Sequence, residues 1–158
     1  MRGVGVAAMF LVAIGCLATK AQAADQPPTL PTKAAPNSVA LFPCPAKPIS
    51  TVEIEACQAK QLLRIDRDFN KQVAILWPIL DTRGRRAFIR AHRAWLVYRD
   101  QECEARARSR LGGTERPIIY GQCETQLTVA RLKEVKLTIA YYCDGRTRTG
   151  PRRNCPHA

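Results

Sequence analysis

Residues 90–103 read RAHRAWLVYRDQEC, and residues 120–131 read YGQCETQLTVAR. The first stretch sets His92, Trp95 and Arg99 three or four residues apart, which is one face of a helix, with Cys103 beside it. The second sets Cys123 near the start of another helical pattern. Between them, Gly112-Gly113 supply positive φ at no steric cost and stop the first helix. Pro117 then suits the first turn of the next. This predicts two antiparallel helices joined by a Cys103–Cys123 disulfide.

Working outward, the helix through residues 90–103 extends from about Arg85 to Arg110, with Phe88 on the Trp95 face and Ile89 and Leu96 beside it. Asp81 to Gly84 forms the turn before it. Further upstream, Ser50-Thr51-Val52-Glu53 is a capping box that opens another helix. Leu62, Ile65, Phe69, Val73 and Leu76 make its apolar stripe, and Trp77-Pro78 its end, because a residue before proline avoids the α region. The last helix carries two stripes. One is Cys123, Leu127, Ala130, Glu134 and Leu137; the other is Leu132, Val135, Ile139 and Tyr142. Two stripes fit a central helix or a dimer surface. No strand-like alternation appears. The predicted fold is all-α: a disulfide-stapled antiparallel three-helix bundle, up-down-up.

Flanking segments set the domain plan. Residues 1–23 read as a signal peptide, with a basic start at Arg2, an apolar run from Val4 to Leu17, and an A-x-A site at Ala21-Gln22-Ala23. Ala13-Ile14-Gly15-Cys16 also resembles a lipobox, so a lipoprotein attached through Cys16 stays open beside a periplasmic or secreted product. Residues 24–48 hold seven of the eleven prolines and read as a Pro/Ala-rich linker. Residues 49–143 form the helical domain and 144–158 a basic tail.

With Cys16 set aside, six cysteines remain, an even number in an exported small domain, which implies a disulfide framework. An up-down-up bundle puts Cys44, Cys57, Cys103 and Cys123 at one end. Cys143 lies twenty residues of helix beyond Cys123, ~30 Å away, so it must pair with Cys155. Cys103–Cys123 and Cys44–Cys57 complete the simplest set, with other pairings among those four left open.

The composition points away from catalysis and metal. His92 and His157 are the two histidines, there is no CxxC, and no glycine-rich phosphate loop occurs. No catalytic residue, metal site or cofactor is expected. Arg99, one turn past Trp95 on the inward face, needs a buried partner, for which Asp66, Asn70 and Glu102 are candidates. Trp95, Tyr98, Arg99, Asp100 and Glu102 are therefore read as a structural network.

The formal net charge is +12, and loss of residues 1–23 removes Arg2 and Lys20 and no acid, leaving +10. Such a chain favours anionic partners. Arg83, Arg85, Arg86, Arg90 and Arg93 fall within eleven residues, and Arg86, Arg90 and Arg93 share one helix face. That ridge is the candidate binding site; its plain alternative is a solvated helix side.

These residues resemble the LprI-like family of small exported bacterial domains. The likeness runs from Cys44 to Cys143 through Ser50-x-x-Glu53-x-x-x-Cys57, Asp66-x-x-Phe69-Asn70, Ala91-x-x-Ala94-Trp95-x-x-Tyr98-Arg99-Asp100-x-Glu102-Cys103, Gly112-Gly113 with Pro117-Ile118-Ile119, and Cys123-x-x-Gln126-Leu127-Thr128-x-x-Arg131. His92 stands where glutamine is common, and Leu132 where threonine is usual. The resemblance implies a helical, non-enzymatic domain that binds and inhibits lysozyme. The competing expectation is a cationic envelope module that binds anionic polymer or lipid without inhibiting anything. Nucleic acid is not an expected partner, and a membrane is one only if Cys16 is lipidated.

Overall fold

The computed structural model describes residues 26–30, 37–144 and 155. The expected signal peptide with Cys16, and the expected basic tail apart from Asp144 and Cys155, lie outside the described residues. The described chain has one helical turn, α1 (Asn37–Ala40), and three long helices: α2 (Thr51–Leu76), α3 (Thr82–Ala107) and α4 (Arg116–Cys143). A 3-10 turn, Arg108–Arg110, follows α3. No strand occurs among the described residues. The protein is all-α, and none of the described helices is long and apolar enough to cross a membrane.

Local chemistry sets the helix ends. The Ser50 hydroxyl accepts from the Glu53 N–H at 3.3 Å, and the Glu53 carboxylate accepts from the N–H groups of Ile49 and Ser50 at 2.8 and 3.1 Å. Those two donors, Ile49 first, hold the Glu53 carboxyl below its ordinary range. Trp77 caps the far end of α2 just before Pro78, but it stays in the αR region (φ −55°, ψ −50°), with its N–H donating to the Val73 carbonyl at 2.8 Å. The expected avoidance of the α region before proline therefore does not hold here. Asp81 belongs to α3 as its N-cap and not to a turn: its Oδ1 accepts from the Gly84 N–H at 2.6 Å, so the helix starts at Thr82, ahead of the expected Arg85. Gly112 takes the positive φ, 79°, that ends the α3 segment.

α4 is the middle helix. It packs along both α2 and α3, whose backbones approach each other far less. Its buried face is Cys123, Glu124, Thr128, Val135 and Ile139. The stripe expected through Ala130, Glu134 and Leu137 faces solvent instead. Glu124 and Thr128 displace it because each has a buried hydrogen-bond partner, which removes the penalty of burying them.

The interior divides along the bundle axis. At one end, Phe69, Val73, Leu76, Ile79 and Leu80 meet Val135 and Ile139 in an apolar cluster. Each such side chain contributes roughly 1.5–3 kcal/mol by leaving water. Leu30, from the segment read as a Pro/Ala-rich linker, joins this cluster. At the other end, Ala56, Ala59 and Ala107 let the helices close up around Leu62 and the buried Cys103 and Cys123. Gly121 permits the same closeness: a Cβ there would run into the Gln58 amide, whose Nε2 donates to the Ile118 carbonyl at 3.1 Å.

Three disulfides join Cys44 to Cys57, Cys103 to Cys123 and Cys143 to Cys155, with Cα atoms 4.9, 5.4 and 5.7 Å apart. The first clamps the segment before α2 onto that helix, the second staples α3 to α4, and the third ties Cys155 to the end of α4. Disulfides of this kind belong to an oxidising compartment outside the cytosol.

Candidate functional site

α3 carries two different faces. Inward, the spacing of His92, Trp95, Arg99 and Cys103 puts all four along one side of the helix. His92 is buried and stacks between Phe69 of α2, at 5.0 Å, and Trp95, at 5.6 Å. This ring stack bridges the gap between α2 and α3. Trp95 is half-buried, and the Arg99 guanidinium lies 5.3 Å from its ring centre.

Arg99 is 0 % exposed. Its Nη2 and Nε donate to Asp100 Oδ1 at 2.8 and 3.2 Å. Nη2 also lies 3.3 Å from Glu124 Oε1, and Nη1 donates to the Thr128 hydroxyl at 3.5 Å. That hydroxyl donates in turn to the Glu124 carbonyl at 2.7 Å. Two carboxylates and a hydroxyl thus meet one buried guanidinium, which makes the cluster a lock between α3 and α4.

Two residues expected in this network stand outside it. Glu102 pairs with Arg106 one turn along α3 at 2.9 Å, because at three residues past Arg99 it points toward the rim. Tyr98 is 52 % exposed, one residue off the inward face. Asn70, a proposed partner of Arg99, hydrogen-bonds Leu30 instead. Sequence reading passed over Glu124 as the partner, and over Arg131. Arg131 lies 5.9 Å from the Phe88 ring centre and 6.0 Å from that of Trp95, and pairs with Glu134 at 2.8 Å. The arginine ending the Cys123-to-Arg131 motif was the signal available for it.

The outward face differs in kind. Arg83, Arg86, Arg90 and Arg93 are all exposed. Arg85 alone turns in, with its Nε donating to the Trp77 carbonyl at 2.9 Å and its guanidinium over the Trp77 ring. Most acids are committed elsewhere. Asp68 pairs with Lys71, which holds its carboxyl below the ordinary range. Glu104 pairs with Arg116 and Glu115 with Arg110; Glu53 and Asp81 cap helices. Among the described residues, none of Arg83, Arg86, Arg90 and Arg93 has an ion pair. Their placement is electrostatically unfavourable. Arg83 lies in the first turn of α3, where the helix dipole favours anions, and the four repel one another at three- and four-residue spacings. An anionic partner would relieve both costs.

Exposed Ala87, Ala91 and Ala94 directly follow Arg86, Arg90 and Arg93, and Val97 and Tyr98, 58 % and 52 % exposed, continue the surface. The chemistry available here is guanidinium recognition of carboxylate or phosphate. Among the described residues, no group of three or more His, Cys, Asp or Glu side chains is placed to hold a metal ion.

Comparison with known proteins bears on these faces. A family model described as "Lysozyme inhibitor LprI" matches residues 44–135, which include all of α2 and α3 and most of α4. The chain is also 24 % identical over 103 residues to "Uncharacterized protein R02472" of Rhizobium meliloti (strain 1021), an alignment covering 57 % of this chain and 74 % of that protein. No solved structure matches.

Proposed function

Because the chain belongs to the LprI lysozyme inhibitor family, we propose that it is an exported domain that acts by binding, with a lysozyme as its target and Arg86, Arg90 and Arg93 as the contact. The family membership supplies the target class. The observation that carries the contact is the set of unpaired, exposed arginines on α3.

A glycosidase of this kind works through two carboxylates flanking the scissile bond. A guanidinium is shaped to meet such a carboxylate with two parallel hydrogen bonds. An arginine standing up from a floor of alanines can reach into a cleft that a flat surface would only cover. Animal lysozymes are basic, as this chain is at +12, so the two repel at long range. Inhibition then rests on close contacts and not on steering.

The same arginines favour a second reading, a cationic envelope module for anionic polymer or lipid. The two differ in salt response. Polymer binding by released counterions falls steeply with ionic strength, whereas inhibition resting on a few buried contacts changes less, because screening acts mainly on exposed charges over about 8–10 Å.

The test is lysozyme inhibition at low and moderate salt by the wild type and by Arg86→Glu/Arg90→Glu/Arg93→Glu. The proposal expects inhibition by the wild type and at least a tenfold loss in the folded triple variant. Equal inhibition by the two would reduce the ridge to a solvated surface. Salt-sensitive binding to anionic vesicles or polymer, with no inhibition at either salt, would favour the second reading.

A further inference from the structure

The segment Gln26–Leu30 has no regular secondary structure and contains Pro27-Pro28. Gln26, Pro27 and Thr29 are exposed, but Leu30 is only 9 % exposed and packs in the apolar cluster with Phe69, Val73 and Leu76. One side chain meets both of its main-chain groups. The Leu30 N–H donates to Asn70 Oδ1 at 2.7 Å, and Asn70 Nδ2 donates to the Leu30 carbonyl at 3.1 Å. The same Nδ2 donates to the Asp66 carbonyl of its own helix at 3.0 Å, which holds the amide in this orientation.

This is the division of labour by which extended peptides are recognised: main-chain hydrogen bonds hold the chain, and a pocket selects the side chain. Proline before the anchoring residue keeps the segment extended and lowers the entropy lost on docking. Among residues 26–30 the hydrogen-bonded hold falls on Leu30, with Pro28 half-buried beside it. It also lies outside residues 44–135, so the family match does not account for it.

We propose that the Asn70 pocket on α2 is a docking site for an extended polypeptide presenting a leucine, and that residues 26–30 are its resident, exchangeable occupant. The ligand chemistry is set by what the pocket already holds: free N–H and C=O groups on one extended residue, and an aliphatic side chain of leucine size. A charged residue is rejected, since the pocket would bury its charge without a partner. The arginines of α3 take no part, so the site stands or falls independently of lysozyme binding.

The experiment uses full-length, oxidised, isotope-labelled protein followed by NMR. The probe is the capped peptide of sequence QPPTL, titrated into the millimolar range. Leu30→Asp displaces the resident segment; Leu30→Ala replaces it should circular dichroism show the aspartate variant unfolded. The displaced variant should show saturable shifts at the Asn70 side-chain amide and the Val73 and Leu76 methyls. The peptide with aspartate in place of leucine should give none, and Asn70→Ala in the displaced variant should abolish the response. Wild type should need at least tenfold more peptide, because its own segment competes at an effective concentration of order millimolar. An arm-exchanged dimer of concentrated wild type would be the same pocket filled by a second copy, and supports the proposal. Absence of saturable shifts in a folded displaced variant, or an equal response in wild type, overturns it.

Discussion

Replacing Arg99 by methionine should destabilise the domain by about 3–5 kcal/mol, the usual consequence of removing one partner of a buried ion pair. The structure shows where that cost arises. Methionine fills part of the guanidinium's space and has no charge to desolvate, so packing is the smaller loss. The larger loss is that Glu124, with an 8 % exposed side chain, no longer has the Arg99 guanidinium to offset its burial. Asp100, at 25 %, regains water and suffers less. Glu124→Gln leaves Arg99 its bonds to Asp100 and Thr128 and should cost about 1–3 kcal/mol. In the double variant both members of the pair are gone together, so its cost should fall short of the sum by at least about 1 kcal/mol. Urea unfolding of the oxidised proteins, read as midpoint and slope, measures all four corners of the cycle. An Arg99→Met protein within about 0.5 kcal/mol of wild type, or strict additivity, would refute the lock between α3 and α4.

Trp95 is half-buried between His92 and Arg99, so Trp95→Ala should cost about 2–3 kcal/mol, below the roughly 3–5 of a fully enclosed tryptophan, as thermal or urea melts will show. The capping box makes stability depend on pH. Glu53 has a folded-state carboxyl depressed by the Ile49 and Ser50 N–H groups, so its contribution is present above the unfolded value near 4.5 and is lost as pH falls through the lower folded value. Stability curves of wild type and Glu53→Ala should therefore differ at pH 7 and converge in acid; a difference unchanged at pH 3 would show that the carboxylate is not what caps α2.

Local rules made much of the bundle legible. The Ser50–Glu53 pair and the double glycine at Gly112 act over a few residues and sit where their stereochemistry requires, whereas Trp77 ends α2 while keeping αR dihedrals, against the usual pre-proline preference. Arg99 was readable as buried because its spacing from Trp95 left it no other face. Its partner was not, because Glu124 lies on another helix and spacing along α3 says nothing of what crosses it. A search for apolar stripes also misses Glu124 and Thr128, since polar residues enter a core only by virtue of partners elsewhere. Leu30 was hidden for a related reason. A proline-rich segment has no period to betray a buried residue, and its partner Asn70 reads as a helix-surface amide. The arginine ridge was visible as a pattern. That its members lack carboxylate partners emerges only once the other acids have been placed.

The central position of α4 has a consequence for how the chain matures. α4 comes last among the described helices, yet it provides Val135 and Ile139 to the apolar cluster and Glu124 and Thr128 to Arg99. Without it, α2 and α3 keep the Phe69–His92 stack, the Arg85–Trp77 contact and Phe88 against the apolar cluster, but lose the helix that packs along both. Cys103 likewise waits for Cys123. In a chain wired in this order, both the apolar cluster and the partners of Arg99 are complete only once α4 is in place.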